Sequence, residues 1–193
     1  MATSITAPGP DQGWLKFYYF LRFAVSTAWV VLAFMLGRTA PMLAGIMLIA
    51  YPAWDAAANY ADAGRSGGLG RNKSQMLNFI VSLITAVAVA VALRQSMNAV
   101  LAVFGVWAVL SGLFQLVTAL RRRKAYGAQW AMILSGAQSG LAGAHMLSKA
   151  AGALPPSITD IAPYAAFGAF YFLVSALSLT ISDARRNARA QAA

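Results

Sequence analysis

The sequence predicts an all-α membrane protein of six transmembrane helices, arranged as three parallel-repeat helical hairpins with both termini cytoplasmic. Three observations carry this. Sixty per cent of the 193 residues are hydrophobic and 10% are charged, more apolar surface than a water-soluble domain can hide, so lipid must cover it. Six apolar stretches, at roughly 14–37, 40–61, 75–94, 98–120, 127–149 and 159–182, each reach the ~20 residues that cross a bilayer core at 1.5 Å per residue. Basic residues collect in every second loop. A membrane β-barrel would need alternating polarity, whereas residues 79–93 are apolar on every face.

Residues 1–13 form a polar N-terminal tail with Pro8, Pro10 and Asp11 but no basic n-region. The apolar run after it exceeds a signal-peptide core, so the first span is expected to be an uncleaved anchor. The second span opens on Pro41, where a missing N–H costs nothing. Pro52 in its middle frees the Leu48 carbonyl and predicts a kink. Loop two is rich in glycine (Gly64, Gly67, Gly68, Gly70) but lacks the spacing of a phosphate-binding loop. Small residues mark the fourth span at Gly105 and Gly112 and the fifth at Gly136, Gly140 and Gly143. Pro155 and Pro156 break the chain, and Ser157 with Asp160 has capping-box spacing opening the sixth span. Residues 14–182 thus form one domain, with hairpins at about 14–61, 75–120 and 127–182, followed by a basic tail at 183–193.

The net charge of +10 flanks the spans instead of forming one basic face with interleaved aromatics, which argues against a nucleic-acid partner. Lys16, then Arg65, Arg71 and Lys73, then Arg121, Arg122, Arg123 and Lys124, then Arg185, Arg186 and Arg189 fall on one side; Arg38, Arg94 and Lys149 fall on the other. By the positive-inside rule the richer side is cytoplasmic, where basic side chains can also hold anionic lipid. Trp14, Trp54, Trp130, Tyr18, Tyr51 and Tyr126 lie towards that side, as an aromatic belt would.

Gly45 and Pro52, Gly105 and Gly112, and Gly168 and Ser175 each stand seven residues apart in the even-numbered spans. Successive hairpins enter from one side, so the units repeat about an axis along the membrane normal instead of inverting. The glycines of the fourth and fifth spans let helices approach closely. Intramolecular packing of that pair is the favoured use, and a homo-oligomer seam is the alternative.

Ionisable groups inside spans are costly and mark structural pairs or functional sites. Arg22 lies about two turns into the first span and Asp55 at similar depth in the second, which predicts a salt bridge; snorkelling of Arg22 is the competing outcome. Asp55, Asn59 and Asp62 share a helical face, as do Asn78, Ser82 and Thr85, and Ser111, Gln115 and Thr118. Interhelical hydrogen bonding is the first reading of these faces, and a polar pocket or vestibule open to the cytoplasm is the second. The candidate buried polar site is Arg22, Asp55, Asn59, Asn78 and Gln115. His145 is the only side chain that titrates near neutrality unaided, a candidate pH sensor beside Gln138. With no cysteine, one histidine and no G-x-S-x-G elbow, the chain offers no catalytic, cofactor or metal-binding set.

Residues 103–116, with Gly105, Trp107, Gly112 and Gln115, followed by Arg121, Arg122, Arg123 and Lys124 and then Ser135, Gly136, Gly140 and Gly143, resemble the repeated hairpin of the HdeD-like acid-resistance membrane proteins. The six-helix plan is similar too. The resemblance implies a bacterial inner-membrane location and a link to acid or envelope stress; it supplies no catalytic residues. The expectation is therefore a non-enzymatic integral membrane protein with membrane lipids and an unidentified protein or small solute as partners. The alternative is a small transporter or channel with a polar path in the cytoplasmic half.

Overall fold

The computed structural model describes residues 12–37, 39–122 and 129–191. Six long helices follow in order: α1 (Gln12–Leu36), α2 (Pro41–Arg65), α3 (Lys73–Ala92), α4 (Met97–Arg122), α5 (Gln129–Ala150) and α6 (Ala162–Gln191), with one 3₁₀ turn (Ile158–Asp160) before α6. The described residues contain no strand. All of α1, α2, α3, α4 and α6 are long and apolar enough to cross a membrane. The 22 residues of α5 reach about 33 Å, but Gln138, His145 and Lys149 lower its hydropathy. Arg38, Arg123, Lys124 and Tyr126, residues 1–11, and the side chains of Thr118, Arg121, Arg122 and Trp130 lie outside what is described.

The helix ends follow local chemistry. Pro41 stands in the first turn of α2, as its missing N–H allows. Helix α2 continues through Pro52, which is buried. Gly67 and Gly68 turn the chain after α2 with φ of 94° and 89°, a left-handed conformation that glycine adopts without a Cβ penalty. The Ser157 N–H donates to the Asp160 carboxylate at 2.7 Å; this cap closes the 3₁₀ turn, so α6 begins later than the spacing suggests. The tail expected after residue 182 continues as helix to Gln191, in keeping with its good helix formers Ala and Arg.

Each helix packs on its neighbours in sequence, and α6 returns to α1, so the six close into a ring. The closest joints are α4 with α5, α1 with α6, and α2 with α3; α5 and α6 approach each other least. The tightest interfaces therefore lie between the successive hairpins, not within them. Between α4 and α5 a Cβ added to Gly112 would stand 2.5 Å from the Gly136 carbonyl oxygen, and one on Gly143 would stand 2.6 Å from that of Gly105. Backbone meets backbone there, the contact that small residues permit in lipid. Gly140 differs: its own Cβ would meet nothing within 4 Å. The glycines of this joint are used within one chain.

The two ends of the ring are built differently. Lys16 of α1 pairs with Asp183 of α6 at 2.5 Å, which fixes the end that carries both termini. Towards the far end the interior is solid, with Leu48, Val89, Val100, Leu101, Ile158 and Ile161 fully buried. An aromatic layer closes this core from the termini side. Trp29 lies 4.8 Å from Tyr51, and Trp107 lies 6.0 Å from both Tyr51 and Tyr164. Such edge and offset contacts add about 0.5–1.5 kcal/mol each beyond area burial, and they clasp α1, α2, α4 and α6. The Trp29 indole N–H also donates to the Met47 carbonyl at 2.8 Å.

Candidate functional site

Arg22 is placed by α1 with its side chain 12% exposed, opposite Asp55 of α2 at 18%. Their charges meet directly: the Arg22 Nη2 donates to Asp55 Oδ1. The Arg22 Nη1 donates to the Tyr18 hydroxyl at 2.8 Å, and the guanidinium lies 4.1 Å from the ring centre of Phe172 on α6. Cation and aromatic face attract through the ring quadrupole, more strongly where water is excluded. Snorkelling is not the outcome; the stem is enclosed and the head is paired.

Asp55 is saturated. Its second oxygen accepts from Ser82 of α3 at 2.7 Å and from Asn59 at 3.0 Å. One carboxylate therefore joins α1, α2 and α3. Asp62, one turn beyond Asn59, accepts from the Trp14 indole at 3.2 Å and from Gln75 at the start of α3. Arg65 covers the other face of that network, 4.5 Å from the Trp14 ring. Thr85 turns back to the Val81 carbonyl and plays no part.

These residues face a cavity of about 920 Å³ in the termini half of the ring. Arg22, Asp55, Asn59, Asn78 and Gln115 all line it, so the structure brings the five sequence-predicted residues onto one space. Interhelical hydrogen bonding, the first reading of those faces, is present beside the cavity: Ser82 and Gln75 of α3 donate to Asp55 and Asp62 of α2. Tyr51, Trp107 and Tyr164 form the inner wall of the cavity, and Arg71 and Lys73 stand at its mouth between α2 and α3. The volume lies within the range of ordinary ligand pockets, about 300–1,000 Å³. Two buried polar atoms have no hydrogen-bond partner here: Nε of Arg22 and Oε1 of Gln115. An unpartnered buried group costs about 1–3 kcal/mol.

Sequence reasoning missed part of this site. Tyr18 and Tyr51 are 5% and 8% exposed and are interior residues, not members of a lipid-facing belt. Position near a helix end is common to both roles; only the helical face separates them. Ser135, Gln138 and Ser139 of α5 and Tyr171 and Phe172 of α6 also line the cavity. The spacing 135, 138, 139, 142 was the available signal for α5.

His145 lies elsewhere. It is exposed and borders a second cavity of about 220 Å³, with Lys149 and Asp160, between α5 and α6. Lys149 donates to Asp160 at 2.5 Å. Burial works to raise the Asp160 carboxyl, but the hydrogen bonds from Lys149 and the Ser157 N–H, with the Lys149 charge and His145, outweigh it and hold that carboxyl below its ordinary value. The described residues contain no group of three His, Cys, Asp or Glu placed to hold a metal ion.

Residues 80–148, from the middle of α3 through α5, match the model of a family described as a short repeat of unknown function, DUF308. Neither a curated protein nor a solved structure matches the chain. The matched region contains the glycine joint of α4 and α5 together with Trp107 and Gln115. Arg22 and Asp55 fall before it.

Proposed function

We propose that this chain is a non-enzymatic, six-span protein of a bacterial inner membrane that binds a small solute in a vestibule open to the cytoplasm. The observation that carries this reading is the cavity of about 920 Å³, which is polar at its mouth and stopped by an aromatic wall. A closed wall favours a carrier or receptor over an open channel. The positive-inside bias of Arg65, Arg71, Lys73 and Arg185 supports a cytoplasmic mouth and cytoplasmic termini. The seven-residue glycine pairs support three parallel hairpin repeats. Absence of covalent chemistry is consistent with Asp55, whose two oxygens are both engaged and so poorly disposed to act as a base.

Thiol accessibility tests the reading, because the chain has no native cysteine. Asn78→Cys and Gln115→Cys should react with a membrane-impermeant maleimide in inside-out vesicles and resist it in right-side-out vesicles. Protection from both sides would remove the vestibule; reaction only from outside would reverse the topology.

A role in acid or envelope stress is a second reading, favoured by the DUF308 match, since HdeD-like proteins carry that repeat. Deleting the gene should then lower survival after an acid shift, and unchanged survival would leave only the binding function.

A further inference from the structure

The ring has one weak joint. Among the described residues, helices α5 and α6 approach each other less than any other neighbouring pair, and polar contacts tie them at different levels. The Tyr171 hydroxyl donates to Gln138 Oε1 at 2.9 Å, and Lys149 reaches Asp160 in the turn leading to α6. The two cavities are separated at this joint by side chains common to both: Ala142, Tyr164 and Phe167 line each of them. Phe167 is also 48% exposed, so the same side chain faces the interior and the surroundings. In a membrane those surroundings are lipid.

One residue beyond Tyr171, Phe172 lies over the Arg22 guanidinium. Helix α6 thus connects the tie across the joint to the buried cation of the main cavity. Arg22 has donors to spare. A guanidinium carries five N–H groups, and its Nε is buried without a partner. Both oxygens of Asp55, by contrast, are engaged by protein donors. Arg71 and Lys73 on the lining outnumber Asp62, whose hydrogen bonds come from the neutral Trp14 and Gln75, so three cations face two carboxylates around the cavity.

Resting on the vestibule reading, we infer that the cavity takes an amphiphile, loaded from the bilayer between α5 and α6, whose oxyanion head binds Arg22 while its apolar chain lies in the joint. A phosphate or carboxylate head matches the planar guanidinium. An apolar chain gives the joint an occupant that a free solute entering at the mouth does not need.

The test uses the full chain in phosphatidylcholine nanodiscs. Gln138→Cys with Tyr171→Cys is bridged by a short bis-methanethiosulfonate reagent, which a reductant reverses. Loading is followed by energy transfer from tryptophan to a fluorescent lysophosphatidylglycerol. Bridging should slow loading at least about tenfold, equivalent to roughly 1.4 kcal/mol of added barrier, and reduction should restore it. Glycerol 3-phosphate, the soluble head group, should bind equally well with the joint bridged or free. Equal loading rates in the two states would overturn the route, and binding of glycerol 3-phosphate without the lipid would overturn the amphiphile.

Arg22→Lys keeps the charge opposite Asp55 but loses the planar fork. It should weaken lysophosphatidylglycerol about tenfold, the loss of one charged hydrogen bond, and leave the uncharged monoacylglycerol unchanged. Equal weakening of both would remove Arg22 as the head-group site. Labelling of Asn78→Cys in the same discs separates the vestibule from the route into it. If that thiol is protected, the vestibule fails and this inference with it; if it labels while bridging has no effect, only the route through the joint is lost.

Discussion

Arg22 is a charge buried inside an apolar span, and its stabilisation is shared among three helices through Tyr18, Asp55 and Phe172. Removing either partner of a buried pair leaves an uncompensated charge, typically costing 3–5 kcal/mol; with side chains 12% and 18% exposed on a polar cavity, about 3 kcal/mol is expected here. Arg22→Ala and Asp55→Ala should each lower the thermal midpoint in detergent, and the double variant should lose about 0.5–3 kcal/mol less than the sum. Strict additivity would show that the two side chains do not act on each other. This pair was legible in the sequence because isolated charges inside apolar spans have few partners to choose from. Tyr18 and Phe172, which complete the surroundings of Arg22, were not: an aromatic residue is acceptable to lipid, to a core and to a cation alike.

At the level of the elements, the glycine joint fixes where the ring is rigid and leaves the opposite side of α5 free. Gly112→Ala and Gly143→Ala would push a Cβ against a backbone carbonyl of the facing helix. Neither atom belongs to a flexible side chain, so the helices must separate, at about 1–3 kcal/mol for overpacking. Gly140→Ala places its Cβ in open space and replaces a poor helix former by a good one. Its midpoint should therefore stay level or rise. Thermal unfolding of the three variants in one detergent checks the pattern, and an equal loss at all three would mean that small size as such, not the α4–α5 contact, is what matters. The spacing of these glycines showed that α4 and α5 could pack closely. It could not show that Gly140 points elsewhere, because a one-residue rotation about the helix axis changes the face by about 100°. The loose joint between α5 and α6 was equally hidden, since it depends on how all six helices are tilted.

Across the whole molecule, the bundle is filled at one end and hollow at the other, and the aromatic layer is the boundary. Behind Trp107 stand Phe104, Leu101, Val100 and Leu48, all fully buried, so the wall is several side chains deep. A channel needs a continuous path, and this packing denies one; a site reached from a single side needs only the wall. Trp107→Ala distinguishes the two. It removes a ring that touches Tyr51, Phe104 and Tyr164, at about 3–5 kcal/mol of stability, and extends the hollow towards Phe104. A thiol placed at position 104 should then become reactive from the same side as one at position 78, while proteoliposomes containing the variant remain tight to small ions. Ion leakage would mean that one aromatic ring was the whole barrier and that the far half does not seal by itself, which would favour a gated pore over the proposed single-sided site.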